Sequence, residues 1–225
     1  MADAGYISTV RVFFRKLGRI KYISHLDMNR CMARVLKRSE LPVWHTLGFN
    51  PHIYITFALP LPLGFESNCE SMDFRLTREV PMQEICDKLN EVLPEGITVY
   101  RAAPVGSKPN AICWADYEIA MEFDHQDPDY VAEQFLKFCA KDTIEITKRG
   151  KKGDRIMDIK PHFSVRDVQA DANTLKFTLR SAAGSTLNIN PMLLLDAFAK
   201  ESGVMWDWLR VLRTAILDKQ FEDFS

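Results

Sequence analysis

The stretch from Tyr22 to Gly64 constrains the fold most, because it prescribes a capped helix, a turn and a strand in succession. Ser24 can cap a helix, and Asp27 takes the position where a capping box usually holds Glu. From His25 onwards, apolar residues recur at helical spacing. The pattern predicts a helix over residues 25–38 whose apolar side is formed by Leu26, Met28, Met32, Val35 and Leu36.

The segment after this helix combines a stop signal, a turn and an alternating run. Pro42 ends the helix, because proline donates no amide hydrogen and restricts the residue before it. Gly48–Pro51 has the composition of a tight turn. Apolar residues then alternate from Ile53 to Phe57, which predicts a strand over residues 53–59.

Alternating apolar residues predict the remaining strands, and capping residues predict the remaining helices. Strands are expected at residues 6–14, 71–76, 97–101, 117–123, 143–148, 175–179 and 208–216, with a long or broken strand over 155–168. Helices are expected after Pro81, after a cap at Asp127 or Asp129, and from the cap Asn190 to Gly203. The order β-α-β-β-α-β is thereby expected twice, the second time with an extra hairpin.

Residues 102–116 separate the two repeats and are rich in proline, glycine and small side chains, which predicts a linker. We therefore expect an α+β fold of two tandem ferredoxin-like (βαββαβ) units with antiparallel sheets. The first unit is expected over residues 1–101. The second is expected over residues 117–225, with a basic hairpin added.

The cysteines and the apolar residues exclude several classes of protein. The five cysteines are far apart and form no CxxC pair, so the sequence signals neither a structural zinc site nor a cysteine-ligated iron–sulfur cluster. No run of about 18 apolar residues could span a membrane. We expect a reduced cytoplasmic protein without metal or other cofactor and without a membrane partner.

Positive charge is concentrated near the start of the chain, although the net charge of the whole chain is -1. Residues 1–50 contain three acids and nine basic residues, namely Arg11, Arg15, Lys16, Arg19, Lys21, Arg30, Arg34, Lys37 and Arg38. The last four fall on one stripe of the predicted helix, where like charges repel. A second basic cluster, Arg149, Lys151 and Lys152, lies at a predicted hairpin tip. Both clusters are candidate contacts for RNA phosphates.

Histidines and a short loop supply the other candidate sites. His25 and Asp27, at the start of the helix, are candidates for a general acid–base pair, or Asp27 is a capping residue and His25 a surface residue. A metal site of His25, His45 and His52 lacks the usual ligand spacing, so we assign no metal ligand. The loop Phe49, Asn50, Pro51 and His52 is either functional or an ordinary turn.

Two sequence blocks carry a family resemblance, FRKLGRIKYISHLDMNR and LGFNPHIYITFALPLPLG. They resemble the radical SAM-linked domain of unknown function family (DUF2344), an uncharacterised bacterial family, and weaker similarity continues to Arg213 and Thr214. The resemblance implies a radical SAM protein as neighbour or fusion partner. It also implies an RNA- or ribosome-related setting.

These observations favour an RNA-binding or adaptor subunit that acts with a radical SAM partner and has no catalytic activity of its own. The absence of a phosphate-binding glycine loop and of a cysteine cluster supports a binding role. Two alternatives stay open: a metal-independent enzyme that acts on RNA through His25 and Asp27, and a pure protein–protein scaffold. Convergence of His25, Asp27, Asn50 and His52 in one cleft would favour the enzyme.

Overall fold

The computed structural model describes residues 7–148, 153 and 155–225. The chain divides into two compact units: unit 1 runs to Ala111 and includes Phe224–Ser225, and unit 2 runs from Ile112 to Asp223. The elements of unit 1 are β1 (Ser8–Lys16), α1 (His25–Arg38), β2 (Ile55–Phe57), β3 (Glu66–Leu76), α2 (Met82–Asn90) and β4 (Ile97–Pro104). Those of unit 2 are β5 (Trp114–Glu122), α3 (Pro128–Cys139), β6 (Glu145–Lys148), β7 (Arg155–Asp158), β8 (Phe163–Asp171), β9 (Thr174–Ala182), α4 (Pro191–Ser202) and β10 (Trp208–Leu217).

The sheet of unit 1 places its strands in the order β4-β1-β3-β2, and each of these pairings is antiparallel. Alternate residues of β1, including Val10, Val12 and Phe14, face a core shared with both helices. Met32 and Leu36 of α1 and Ile85 of α2 are fully buried there. The helices therefore cover one face of the sheet, and the intervening side chains of each strand lie on the other face.

Helix α1 spans the residues that the sequence predicts, because its signals are local. The Ser24 hydroxyl accepts a hydrogen bond from the Asp27 amide, and the predicted apolar side is buried apart from Leu26. The expectation for Leu26 was wrong: this side chain is 60% exposed in the first helical turn. Leu26 is the second residue of α1, so no preceding helical turn packs beside it. Periodicity alone therefore does not predict burial at this position.

Several predicted boundaries of unit 1 need correction. The strand expected over residues 53–59 is shorter, because Ile53 makes only an isolated bridge to His45 before β2 begins. The segment expected as a linker over residues 102–116 is partly strand: β4 continues to Pro104 and β5 begins at Trp114. Small residues such as Ala102 fit a paired strand as readily as a linker, so composition did not distinguish the two.

The sheet of unit 2 has the order β10-β5-β9-β8, again with antiparallel pairings. Strands β6 and β7 pair with each other as a separate hairpin between α3 and β8. The region expected as one long or broken strand over residues 155–168 is thus divided between β7 and β8. A short 3-10 turn at Lys160–His162, which contains Pro161, separates them.

Local signals placed the helices of unit 2 correctly. Asp127 caps α3 through the Asp129 amide, and Asn190 caps α4 through the Met192 amide. Gly203 ends α4 in the left-handed conformation that glycine adopts without strain. The described part of the chain is accordingly a mixed α+β protein with antiparallel strand pairing and four α-helices.

Candidate nucleic-acid interface

Asp27 has a complete set of local partners at the start of α1. The Ser24 hydroxyl donates to Asp27 Oδ2 at 2.7 Å, and Arg30 Nη1 donates to Asp27 Oδ1 at 3.2 Å. The Ser24 hydrogen bond, followed by Arg30, lowers the pKa of Asp27 below its ordinary value. This geometry favours the interpretation of Asp27 as a capping carboxylate.

His25 has a different neighbour. Its ring packs edge-on against Phe57, with 5.1 Å between centroids and an interplanar angle of 74°. Residues two apart on a helix do not face each other, so His25 and Asp27 project in different directions. His52 lies five positions before Phe57, which is roughly 16 Å along an extended chain. The contacts of His25 and His52 are therefore with different neighbours, Phe57 for the first and Thr46 for the second.

The loop between His45 and Ile53 is a hairpin tip with defined hydrogen bonds. The Thr46 amide donates to the His52 carbonyl at 2.8 Å, and the His52 amide donates to Thr46 Oγ1 at 3.1 Å. His52 Nδ1 lies 3.0 Å from Thr46 Oγ1. Phe49 at the tip is completely exposed. The histidine of this loop thus has a local structural role, while Phe49 projects outwards.

The three histidines considered for a metal site do not form a group of ligands among the described residues. Within residues 7–148, 153 and 155–225, no three His, Cys, Asp or Glu side chains are grouped as metal ligands would be. His25 contacts Phe57, and His52 is bonded to Thr46. The arrangement gives a metal ion no set of three protein ligands in this part of the chain.

The basic stripe of α1 is exposed, but its members differ in their contacts. Arg30 pairs with Asp27, and Arg38 Nη2 donates to the Val92 carbonyl at 3.1 Å. Arg34 and Lys37 point to solvent. The contacts of Arg30 and Arg38 relieve part of the repulsion expected from the sequence. Arg34 and Lys37 are consequently the members of the stripe best placed to meet an external anion.

The basic hairpin tip lies outside the described residues. Arg149, Lys151 and Lys152 therefore stay sequence-based predictions of phosphate contacts. The strands β6 and β7 that lead to the tip are paired from Glu145 and Asp158 to Lys148 and Arg155. The prediction that these residues bind RNA is independent of the contacts described for unit 1.

A second basic surface, which was not predicted from the sequence, lies on the face of the unit 1 sheet opposite the helices. We call it the arginine face and define it by Arg11, Arg15, Arg75 and Arg101. Each of these guanidinium groups lies over an aromatic ring: Arg11 over Phe224, Arg15 over Tyr100, Arg75 over Trp44 and Tyr54, and Arg101 over Phe13. Such interleaving of cations and rings is typical of surfaces that bind nucleic acids.

The arginine face follows from strand alternation. Because Val10, Val12 and Phe14 face the helices, the residues between them face the other way. Arg11 and Phe13 are such residues, and each packs beside a neighbour on an adjacent strand. The signal was present in the sequence, in the order Thr9, Arg11, Phe13 and Arg15 at every second position. It was missed because a single strand does not show which side chains the adjacent strands contribute.

Arg11 is the structural centre of the arginine face. Its guanidinium donates to both carboxylate oxygens of Asp73, at 2.7 and 2.9 Å, and to the Ser225 carbonyl at 3.0 Å. The Arg11 side chain is 0% exposed and that of Asp73 is 12% exposed. This buried bidentate pair holds β1 to β3, whereas Arg15 and Arg101 remain exposed to solvent.

Ser24→Ala tests the capping interpretation of Asp27. The variant should lose about 0.5–2 kcal/mol of stability, because the Asp27 amide loses its acceptor. The lowered pKa of Asp27 means that its stabilising contribution is present above its ordinary pKa and is lost as pH falls through the folded-state value. The variant should therefore show less of this acid-dependent loss. Urea unfolding at neutral and acidic pH measures both effects, and Ser24→Thr, which retains the hydroxyl as cap and donor, is the control.

The cysteines of the helices lack the character of nucleophiles. Burial raises the pKa of Cys31 and Cys86, and it raises that of Cys139 to about 12. These three thiols are therefore protonated at neutral pH.

No helix among the described residues is both long and apolar enough to cross a membrane.

Comparisons with solved structures give a fold likeness. A chain of the crystal structure of a Cbf5–Nop10–Gar1 complex superposes with a TM-score of 0.50 at 9% identity. The match covers 92% of this chain and 48% of that chain, so the present chain spans about half of its length. An unknown protein from Galdieria sulphuraria matches at 14% identity with a TM-score of 0.25, over 92% of this chain and 99% of that one. At these identities the first likeness concerns the fold alone.

Sequence comparison identifies the family. No curated protein matches the chain. The profile of a family described as an uncharacterized protein conserved in bacteria (DUF2344) matches residues 9–191, which cover unit 1 from the second residue of β1 to the end of β4 and most of unit 2. The chain therefore belongs to the DUF2344 family.

Proposed function

We propose that this protein is a non-catalytic RNA-binding subunit that acts with a radical SAM protein. The observation that carries the RNA-binding part is the arginine face, where four arginines each lie over an aromatic ring and the carboxylate of Asp73 is bound by Arg11. Arginine binds phosphate with several donors, and aromatic rings accept stacked bases. A surface of this composition is suited to RNA, which has anionic phosphates and planar bases.

The proposal includes a fold assignment, in which each unit is a variant of the ferredoxin-like βαββαβ fold. The strand order β4-β1-β3-β2 of unit 1 supports it. In unit 2 the order β10-β5-β9-β8 is equivalent once the β6–β7 hairpin is treated as an insertion. Antiparallel sheets of this kind carry helices on one face, so the other face can meet a partner.

The exposed stripe of α1 is proposed as a second phosphate contact, on the helix side of the same unit. All four of its basic residues are exposed, and Arg30 and Arg38 also have partners within the chain. RNA that reaches both surfaces has to pass around the sheet, because they lie on opposite sides of it. The two surfaces can therefore be tested independently.

The radical SAM partner is proposed from the family resemblance, and the fully exposed Phe49 is a candidate anchor for a protein contact. Affinity purification of the protein from a bacterium that encodes a member of the family tests the proposed partnership. Nuclease is added to one half of the extract. Recovery of a radical SAM protein from both halves is the expected result. Its recovery from the untreated half alone would show that RNA bridges the two proteins, and its absence from both would contradict the partnership.

RNA binding is tested by fluorescence anisotropy at several salt concentrations, from about 50 to 200 mM. Affinity should fall with salt, because each phosphate contact releases bound counterions. Arg30→Ala/Arg34→Ala should weaken binding equally for different RNA sequences and reduce the salt slope by about one unit for each lost contact. An unchanged slope would remove α1 from the interface. Failure of the wild-type protein to bind any RNA would overturn the proposed function.

A further inference from the structure

The arginine face contains an irregularity at the edge strand β4. Phe13 of β1 lies opposite Arg101, but the next residue, Phe14, lies opposite Val99. Tyr100 is therefore an extra residue, a β-bulge between two otherwise regular stretches. A bulge turns its side chain away from the regular alternation and re-aims it. In β4 it places Tyr100 on the same face as Arg101, its immediate neighbour.

The consequence is a compact cluster of two rings and two guanidinium groups. The ring centroids of Phe13 and Tyr100 are 6.4 Å apart, with an interplanar angle of 41°. The Arg101 Cζ atom lies 3.9 Å from the Phe13 centroid, and the Arg15 Cζ atom lies 5.4 Å from the Tyr100 centroid. Phe13 is buried beneath these groups, whereas Tyr100 keeps 46% of its surface exposed. The planes of Tyr100 and Arg101 form the outer layer of the cluster.

We infer that this cluster binds unpaired bases, so that the RNA of this protein is single-stranded where it crosses β4; the inference rests on the RNA-binding function proposed above. Flat rings and guanidinium planes stack on bases that are free to leave a helix. In duplex RNA the bases are stacked on one another, and the major groove is too narrow to admit side chains. Arg15 and Arg101 also bring positive charge beside the rings, which suits the phosphate on either side of a stacked base.

The charge of the cluster favours RNA over an apolar peptide. Two exposed guanidinium groups lie within one side-chain length of the rings, and the carboxylate of Asp73 is already bound by Arg11. An apolar peptide would have to bury both charges without compensation, which is costly. A single strand of RNA supplies one phosphate and one ring per nucleotide, in the same proportion as the cluster.

Tyr100→Leu is the decisive substitution, because it keeps an apolar side chain at the bulge and removes the aromatic ring on which a base would stack. Binding of a labelled single-stranded RNA of about 12 nucleotides should weaken by about tenfold, the effect typical of one lost stacking contact. The salt slope should not change, since the phosphate contacts remain. Tyr100→Phe keeps the ring and should bind as the wild type does. Tyr22→Leu is the matched control, because Tyr22 is an exposed tyrosine of unit 1 that also lies beside a cation, Lys21.

A second measurement separates stacking from a structural effect of the substitution. An RNA that contains 2-aminopurine should lose fluorescence on binding to the wild type and to Tyr100→Phe, but much less on binding to saturating Tyr100→Leu. The blunt-ended duplex of the same sequence should bind more weakly than the single strand. Equal affinity for the duplex, or unchanged binding and quenching with Tyr100→Leu, would overturn this inference and leave RNA binding in place. If neither the single strand nor the duplex binds, the proposed function is overturned as well.

Discussion

Asp73→Ala is expected to destabilise unit 1 by about 3–5 kcal/mol, because it leaves the buried guanidinium of Arg11 without its carboxylate. The remaining partners of Arg11 are the Ser225 carbonyl and the ring of Phe224. Neither neutralises a charge that is 0% exposed. Since β1 and β3 are adjacent strands at the centre of the unit, the loss should extend through its whole sheet.

Hydrogen exchange followed by mass spectrometry measures this loss where it occurs, through peptides from β1 and β3. The matched control is Asp116→Ala in unit 2, where Arg180 donates to both oxygens of Asp116 at 2.7 Å. Those side chains are 22% and 20% exposed, so the released guanidinium can reach water and the cost should be smaller. Equal losses in the two variants would show that burial of Arg11 does not set the energy.

Replacing both members of the buried pair separates the cost of an unpaired charge from the value of the pair. Arg11→Met/Asp73→Leu should recover most of the stability lost in Asp73→Ala, because apolar residues of similar volume often replace a buried ion pair without loss. A double variant as unstable as Asp73→Ala would mean that the pair stabilises unit 1 in its own right.

Arg15→Glu/Arg101→Glu is expected to cause the largest loss of RNA affinity. If each arginine neutralises one phosphate of a single strand, removing both contacts weakens binding by about 25-fold at about 0.1 M salt, and repulsion from the new carboxylates adds to this. The salt slope should decrease in magnitude by about 1.4. Both arginines are exposed, so the fold should be little affected.

Arg19→Glu/Arg78→Glu changes the net charge by the same amount and is the matched control. Both residues are exposed in unit 1 outside the arginine face, Arg19 in the short 3-10 helix Gly18–Tyr22 and Arg78 in a bend after β3. The control should weaken binding slightly, through the general field of the protein. Comparable losses in the two double variants would indicate that net charge, and not the arginine face, governs RNA binding.

The sequence specified the helices well because their signals are local. The cap at Ser24, the cap at Asn190 and the terminal Gly203 each act within one turn of the helix they begin or end. The strands were placed less accurately, since pairing depends on residues far away in the chain. The shortness of β2 is an example that alternation within one segment could not reveal, whereas the division between β7 and β8 agrees with the broken strand expected over residues 155–168.

The candidate site divides in the same way. The stripe of α1 could be predicted, because residues at helical spacing share a face whatever surrounds them. The contact of Arg38 could not, since Arg38 meets the Val92 carbonyl, which is distant in sequence. The arginine face needs contributions from several strands, and the position of Tyr100 depends on a bulge. The alternation of residues in β4 does not predict that Tyr100 is an extra residue.

The bulge also has a consequence for inheritance. Without Tyr100, β4 would alternate regularly, and Val99, Arg101 and Ala102 would keep the faces that they now occupy opposite β1. Loss or gain of a codon elsewhere in the strand would instead exchange its two faces. At this one position, then, a single codon can add or remove an aromatic ring while the hydrophobic core stays as it is.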